Sequence, residues 1–119
     1  MTSLAVAFVL AVSAQSPIYE AKEIFAPVPM HTHGSSIVEL PNGDLLSAWF
    51  YGKGEKTDDT LIIQGARKKK GADAWSVPFT LADSQDLPDQ NPVLFVDPRG
   101  TLWLFWIVSL DNTYDSYLV

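Results

Sequence analysis

The sequence contains no cysteine, so neither a disulfide framework nor thiolate chemistry is open to it. Basic residues are scarce, eight Lys and Arg against fourteen Asp and Glu, for a net charge of −6. That surplus of negative charge argues against a nucleic-acid backbone or an anionic membrane surface as partner. Arginine is reduced to Arg67 and Arg99, and histidine to His31 and His33. Helical periodicity is missing throughout. The run of apolar and small residues from Leu4 to Ala14 is too short for a membrane span, which needs ~20 residues. It ends in Val12-Ser13-Ala14, small residues that suit a signal peptidase acting before Gln15. Residues 1–14 are therefore read as a signal peptide, and the protein as secreted or periplasmic. The competing reading makes this run a buried strand or helix.

What is present is a globular composition. Of the 119 residues, 47% are hydrophobic and 18% charged, enough apolar surface for one small domain with a core. Residues 15–30, with Pro17, Pro27 and Pro29, read as an extended lead-in or a closing strand, with room for one short strand around Ile18 to Phe25. From Ser35 onward the pattern is strand, turn, strand. "SSIVEL" is rich in β-branched residues. "PNGD" supplies, through Asn42-Gly43, the positive φ angles of a two-residue hairpin. "LLSAWFY" returns, apolar on both faces and so covered on both sides. "TLIIQGA" is a third strand. "WSVPFTL" is a fourth, with Pro78 suiting an edge.

The same order then begins again. Gly43 and Gly100 are 57 residues apart, and that offset also pairs Pro41 with Pro98, Leu45 with Leu102, Trp49 with Trp106, Asp58 with Asp115 and Leu61 with Leu118. Four strands followed by the same four restarting is the pattern of β-propeller blades. The fold class is all-β, with a partial propeller over residues 31–119. Blade one covers about 33–81 and an incomplete blade two about 91–119, so that only about the first two blades are present. Such a chain is expected to be the N-terminal part of a longer protein.

Strands in a blade alternate in direction. The segment leading into strand one and the loop between strands two and three therefore emerge at one end. That end receives His31, His33, Glu55, Asp58 and Asp59, then Asp86, Asp89, Asn91, Asp111, Asn112 and Asp115. The opposite end receives the turns "PNGD", "RKKKGAD" and "PRGT". Carboxylates and histidines gathered at one end are what acid–base chemistry on a sugar requires. Each has a plainer reading. Any single acid is most often a solvated loop residue, and Asn91 before Pro92 serves to open a strand. Two histidines two apart face the same way but make a weak metal pair. Neither metal nor cofactor is called for. Trp49 and Trp106 read as blade core, and Lys68-Lys69-Lys70 as a solvated turn.

Several of these stretches resemble the sialidase (neuraminidase) superfamily. "NPVLFVDPRGTLWLFW" is similar to the stretch where Asn-Pro opens a strand and a Gly turn leads to an aromatic-rich one. "SSIVELPNGDLLSAWF" resembles the first full strand pair. "DDTLIIQGARKKKGADAWSVP" resembles the next, with Trp75-Ser76 closing a worn Asp box. The likeness runs from about Met30 to Val119 and is greatest to bacterial sialidase-like proteins with BNR-type repeats. It implies a six-bladed propeller and an exported glycosidase, with a glycan or oligosaccharide as substrate. It implies a catalytic acid among Glu55, Asp58 and Asp59, and substrate contacts from His31, His33 and Asn91. The departure is equally specific. The arginines that clamp a sialic acid carboxylate have no counterpart, because His33 and Gly52 stand at the matching positions. A bidentate clamp cannot be assembled from Arg67 and Arg99, both on turns assigned to the opposite end. The implied function is terminal-sugar cleavage in which a neutral sugar is as well suited as an acidic one. The alternatives are a propeller polysaccharide lyase and a non-catalytic glycan-binding propeller.

Overall fold

The computed structural model describes residues 16–54, 60–109 and 116–118. Every regular element in them is a strand. Sheet one has the order β1 (His31–Glu39), β2 (Leu45–Gly52), β3 (Ile62–Lys68), β4 (Phe79–Ala82). Sheet two has the order β5 (Asp89–Val96), β6 (Leu102–Ser109), β7 (Ser116–Leu118). All neighbouring pairs are antiparallel. The second sheet lies on the first through β5, which packs against β1, β2 and β3. These are two blades of a β-propeller, meandering sheets stacked face to face, as the 57-residue repeat predicts.

The core forms between the sheets. Leu46, Ala48 and Phe50 alternate along β2 and meet Leu61, Ile63 and Leu94, all buried. Alternation also explains why β2 reads as apolar on both faces. Its other face carries Ser47 and Trp49, which are buried too, at 3% and 4% exposure. Part of their cover is the lead-in, whose Phe25 ring lies 5.1 Å from Trp49. Residues 16–30 form no strand, so the short strand expected around Ile18 to Phe25 is absent. The segment docks by side chains rather than by a ladder, and its prolines supply no N–H to one.

The two hairpin turns are copies of each other. Gly43 N donates to Leu40 O at 2.7 Å and Leu40 N to Asp44 O at 2.8 Å; Gly100 N donates to Asp97 O at 2.8 Å and Asp97 N to Thr101 O at 2.9 Å. Gly43 and Gly100 both have φ of 83°, whereas Asn42 has no positive φ. The turn is thus longer than the expected two-residue hairpin. Only glycine takes the left-handed position, as in loops where a type I turn ends in such a residue.

This turn also places a buried charge. Asp44 accepts from Lys70 N and Arg67 Nε, both at 2.8 Å, and sits 2.7 Å from a second Arg67 guanidinium nitrogen. The Lys70 N–H first, and then Arg67, hold its carboxyl below the usual carboxylate range. Asp97 is lowered in the same direction, first by the Thr101 N–H and then by the Trp103 indole. A depressed folded-state value means the unfolded chain takes up protons first as pH falls. The stabilisation is thus complete at neutral pH and drains away through and below the ordinary value of 3.8. Denaturation midpoints measured across this acid range are expected to fall steeply for the native chain. Asp44→Asn starts lower at neutral pH, and the gap to the native chain should close as pH drops. A gap that stays constant would remove Asp44 from the acid limb.

Candidate functional site

β1 and β5 are first in their sheets and lie side by side. Each is interrupted at the same repeat position. The register of β1 on β2 shifts between His33 and Ser36, and that of β5 on β6 between Gln90 and Val93, 57 residues on. Each bulge holds one left-handed residue, Gly34 with φ of 62° and Asn91 with φ of 48°. Bulges of this kind bend a strand and re-aim its side chains. Because β1 begins at His31 and β5 at Asp89, the histidines lie inside a strand rather than before it. Asn91 likewise does not open β5 but occupies its bulge, where Asn tolerates the left-handed conformation better than most residues.

The two bulges touch. A side chain on Gly34 would meet Asn91 Oδ1 at 3.0 Å and the Phe50 ring at 3.0 Å. Gly34→Ala combines that clash with a left-handed backbone, which alone disfavours a non-glycine residue by about 1–2 kcal/mol. We expect a measurable drop in the thermal midpoint and a displaced Asn91. An unchanged midpoint would mean that the bulge relaxes freely.

Both histidines face the core side of sheet one and rest on Phe50. The His31 and His33 rings are 5.7 Å apart, and each is 5.5 Å from the Phe50 ring. Their cross-strand neighbours in β2 are Gly52 and Phe50. β2 therefore ends, at Gly52, directly beside His31, and the sequence then runs on to Glu55, Asp58 and Asp59. Those three carboxylates, and Asp111, Asn112 and Asp115, lie outside the described residues. The expected substrate-binding residues His31, His33 and Asn91 do come together, at the end where β2 leaves and β3 and β5 begin.

Two further groups belong to this end. Gln90 is the repeat mate of His33 and was missed by the sequence reading, although the 57-residue offset pointed to it. Gln90 Nε2 and His31 Nε2 are both buried and without a hydrogen-bond partner, an unusual state for polar atoms. Asp86, with φ of 57°, lines an open cleft of about 420 Å³ with Thr60, Asp83 and Gln85.

Asp89 departs from expectation. It is fully buried, at 0% exposure, and so is no open member of this end. Its carboxylate accepts from Trp106 Nε1 at 2.8 Å and Ser84 N at 2.6 Å, and its backbone N–H reaches Leu61 O at 2.9 Å. It fastens the start of β5 to sheet one. Both arginines lie at the end the sequence assigned to them, but Arg67 stands in β3 rather than on a turn. Arg67 is paired with Asp44 beside the first hairpin turn, and Arg99 stands in the second, its backbone N–H on Asp97.

This end thus offers imidazoles, carboxamides and nearby carboxyl groups, with no guanidinium among the described residues. Such a set can bind hydroxyl groups and move protons. Among the described residues no helix is long and apolar enough to cross a membrane. No curated protein and no solved structure matches the chain. A family model does match, that of the BNR repeat-like domain, over residues 43–118. That stretch starts within the first hairpin turn, takes in the second turn, the β5 bulge and more than half of the sequence, and the chain belongs to the BNR repeat-like domain family of the sialidase-like superfamily.

Proposed function

We propose that this chain supplies two blades of an exported glycoside hydrolase that removes a terminal sugar from a glycan. The observation that supports the reading is the pair of matching bulges, which brings Asn91 of β5 against Gly34 of β1, next to His33. One carboxyl group among Glu55, Asp58 and Asp59 protonates the glycosidic oxygen as the bond breaks, and residues of other blades furnish the nucleophile. His31, His33 and Asn91 hold the sugar. Both arginines lie at the far end, Arg67 paired with Asp44 and Arg99 in the second hairpin turn, which favours a neutral or differently charged sugar over sialic acid. The apolar run Leu4 to Ala14 supports export to the periplasm or medium.

Incubating the intact enzyme with glycans and following two signals tests this. New reducing ends without ultraviolet absorbance support hydrolysis. An unsaturated, absorbing product would replace it with a lyase, in which an imidazole abstracts a proton next to a uronate carboxylate. Retention on a glycan column without any product would leave a binding module.

A further inference from the structure

The first hairpin turn carries a chemically fragile link. Asparagine followed by glycine loses its amide readily, because no Cβ on the glycine hinders attack of its nitrogen on the asparagine Cγ. Of the three asparagines, only Asn42 precedes glycine. Asn91 precedes Pro92, whose nitrogen bears no hydrogen and cannot attack. Asn112 precedes the branched Thr113. Asn42 is exposed, so water can complete the reaction there.

The fold restrains both reacting groups. The attacking nitrogen must give up its proton, yet Gly43 N donates to Leu40 O at 2.7 Å. The carboxamide is tied to residue 44, since Asp44 N donates to Asn42 Oδ1 and Asn42 Nδ2 to Asp44 Oδ2, both at 3.1 Å. Asp44 is buried and anchored in turn by Lys70 N and Arg67. The repeat supplies the contrast. Blade two builds the same turn with Arg99 at the position of Asn42, and its Asp97 carboxylate accepts from Arg99 N and Thr101 N. That turn contains no carboxamide. The turn of blade one does, and there it is a donor to a buried carboxylate.

We propose that Asn42 is a deamidation site which the closed turn holds in check, and that its conversion unlocks the Asp44–Arg67 end of sheet one. When the turn opens, Gly43 N loses its proton and bonds to Asn42 Cγ, and the Cγ–Nδ2 bond breaks to release ammonia. Water then opens the succinimide at one carbonyl or the other, leaving aspartate or isoaspartate at position 42. Nothing is oxidised or reduced. Aspartate sets a carboxylate oxygen against Asp44 where an amide donor had been. Isoaspartate also adds one methylene to the main chain between Leu40 and Asp44, whose N–H and carbonyl groups meet at 2.8 Å to close the turn. Both products disfavour reclosure, so a single opening leaves a permanent mark.

Incubating the full chain at mildly alkaline pH, folded and in concentrated urea, tests the proposal. Peptide mass and isoaspartate analysis follow residue 42. Conversion in the folded chain is expected to be slower than in urea by about tenfold or more, the worth of one hydrogen bond. Asn42→Asp, one of the two reaction products, should lower the folding constant at neutral pH by about tenfold, the worth of a hydrogen bond to a charged group. That loss should shrink as pH falls through the carboxylate range, where residue 42 regains a proton to donate to Asp44. Asn42→Ser keeps a side-chain oxygen for Asp44 N without adding charge, and should stay close to the native chain. Equal conversion rates in the folded chain and in urea would overturn the proposal. So would an Asn42→Asp chain as stable as the native one at neutral pH, or one whose deficit Asn42→Ser shares in full.

Discussion

One of three substitutions, Glu55→Gln, Asp58→Asn or Asp59→Asn, is expected to lower turnover on a poor leaving group by about 10²–10⁴-fold, the scale of positioned proton transfer. The same variant should lose far less on an activated aryl glycoside, whose oxygen departs without full protonation. This leaving-group dependence separates a general acid from a residue that merely shapes the loop, which would depress both substrates alike. Asp58 has a repeat mate in Asp115, so the blade geometry accommodates an aspartate there; yet a repeated residue is often structural. Glu55 has no repeat mate and lies nearer in sequence to the end of β2 at Gly52. Steady-state rates of the intact enzyme on both substrates decide among them. Equal losses on the two substrates in all three variants would remove the acid from this segment and, with it, the main support for hydrolysis here.

The largest structural effect is expected at Phe50. Its side chain is fully buried, it sits in the cluster that joins the sheets, and it carries both histidine rings. Phe50→Ala removes a packed aromatic ring and leaves a cavity that β-sheet backbone cannot collapse to fill. Losses of about 3–5 kcal/mol are usual for such a change, against total stabilities of about 5–15 kcal/mol. Denaturant titration should show this drop, and His31 and His33 should lose their fixed ring positions in the same variant. A loss below about 1 kcal/mol would mean that the two sheets do not share a specific core.

The hairpins, the repeat and the all-β class were legible because each is a local or periodic signal. Gly43 and Gly100 mark turns through a backbone angle that glycine takes most readily. Leu46, Ala48 and Phe50 alternate as a packed strand must. His31 and His33 could be placed on one face from spacing alone. What escaped was non-local. The burial of Asp89 depends on a Trp106 indole from the next strand and a Ser84 N–H from the preceding loop, and no spacing rule announces either. Gln90 carries an ordinary side chain whose place is set by a bulge, and bulges leave little trace in hydropathy. The docking of Phe25 on Trp49 joins a proline-bearing lead-in to a strand without any ladder for alternation to report.

The bulge at Gly34 reverses parity along a single strand. Before it, the odd-numbered His31 and His33 face the second sheet; after it, the even-numbered Ser36 and Val38 do, opposite Ala48 and Leu46. β5 undergoes the same reversal, from Gln90 to Val93. Removing one residue there would leave two steps in β1 against the two between Phe50 and Ala48 in β2, so strict alternation would return with both imidazoles still on the Phe50 face and Ser36 to Glu39 keeping their neighbours. The inner strand is thus a two-part reading frame. Its two halves are joined by one surplus residue, so a single-codon deletion at the bulge would straighten the strand without changing which of its other side chains face the second sheet.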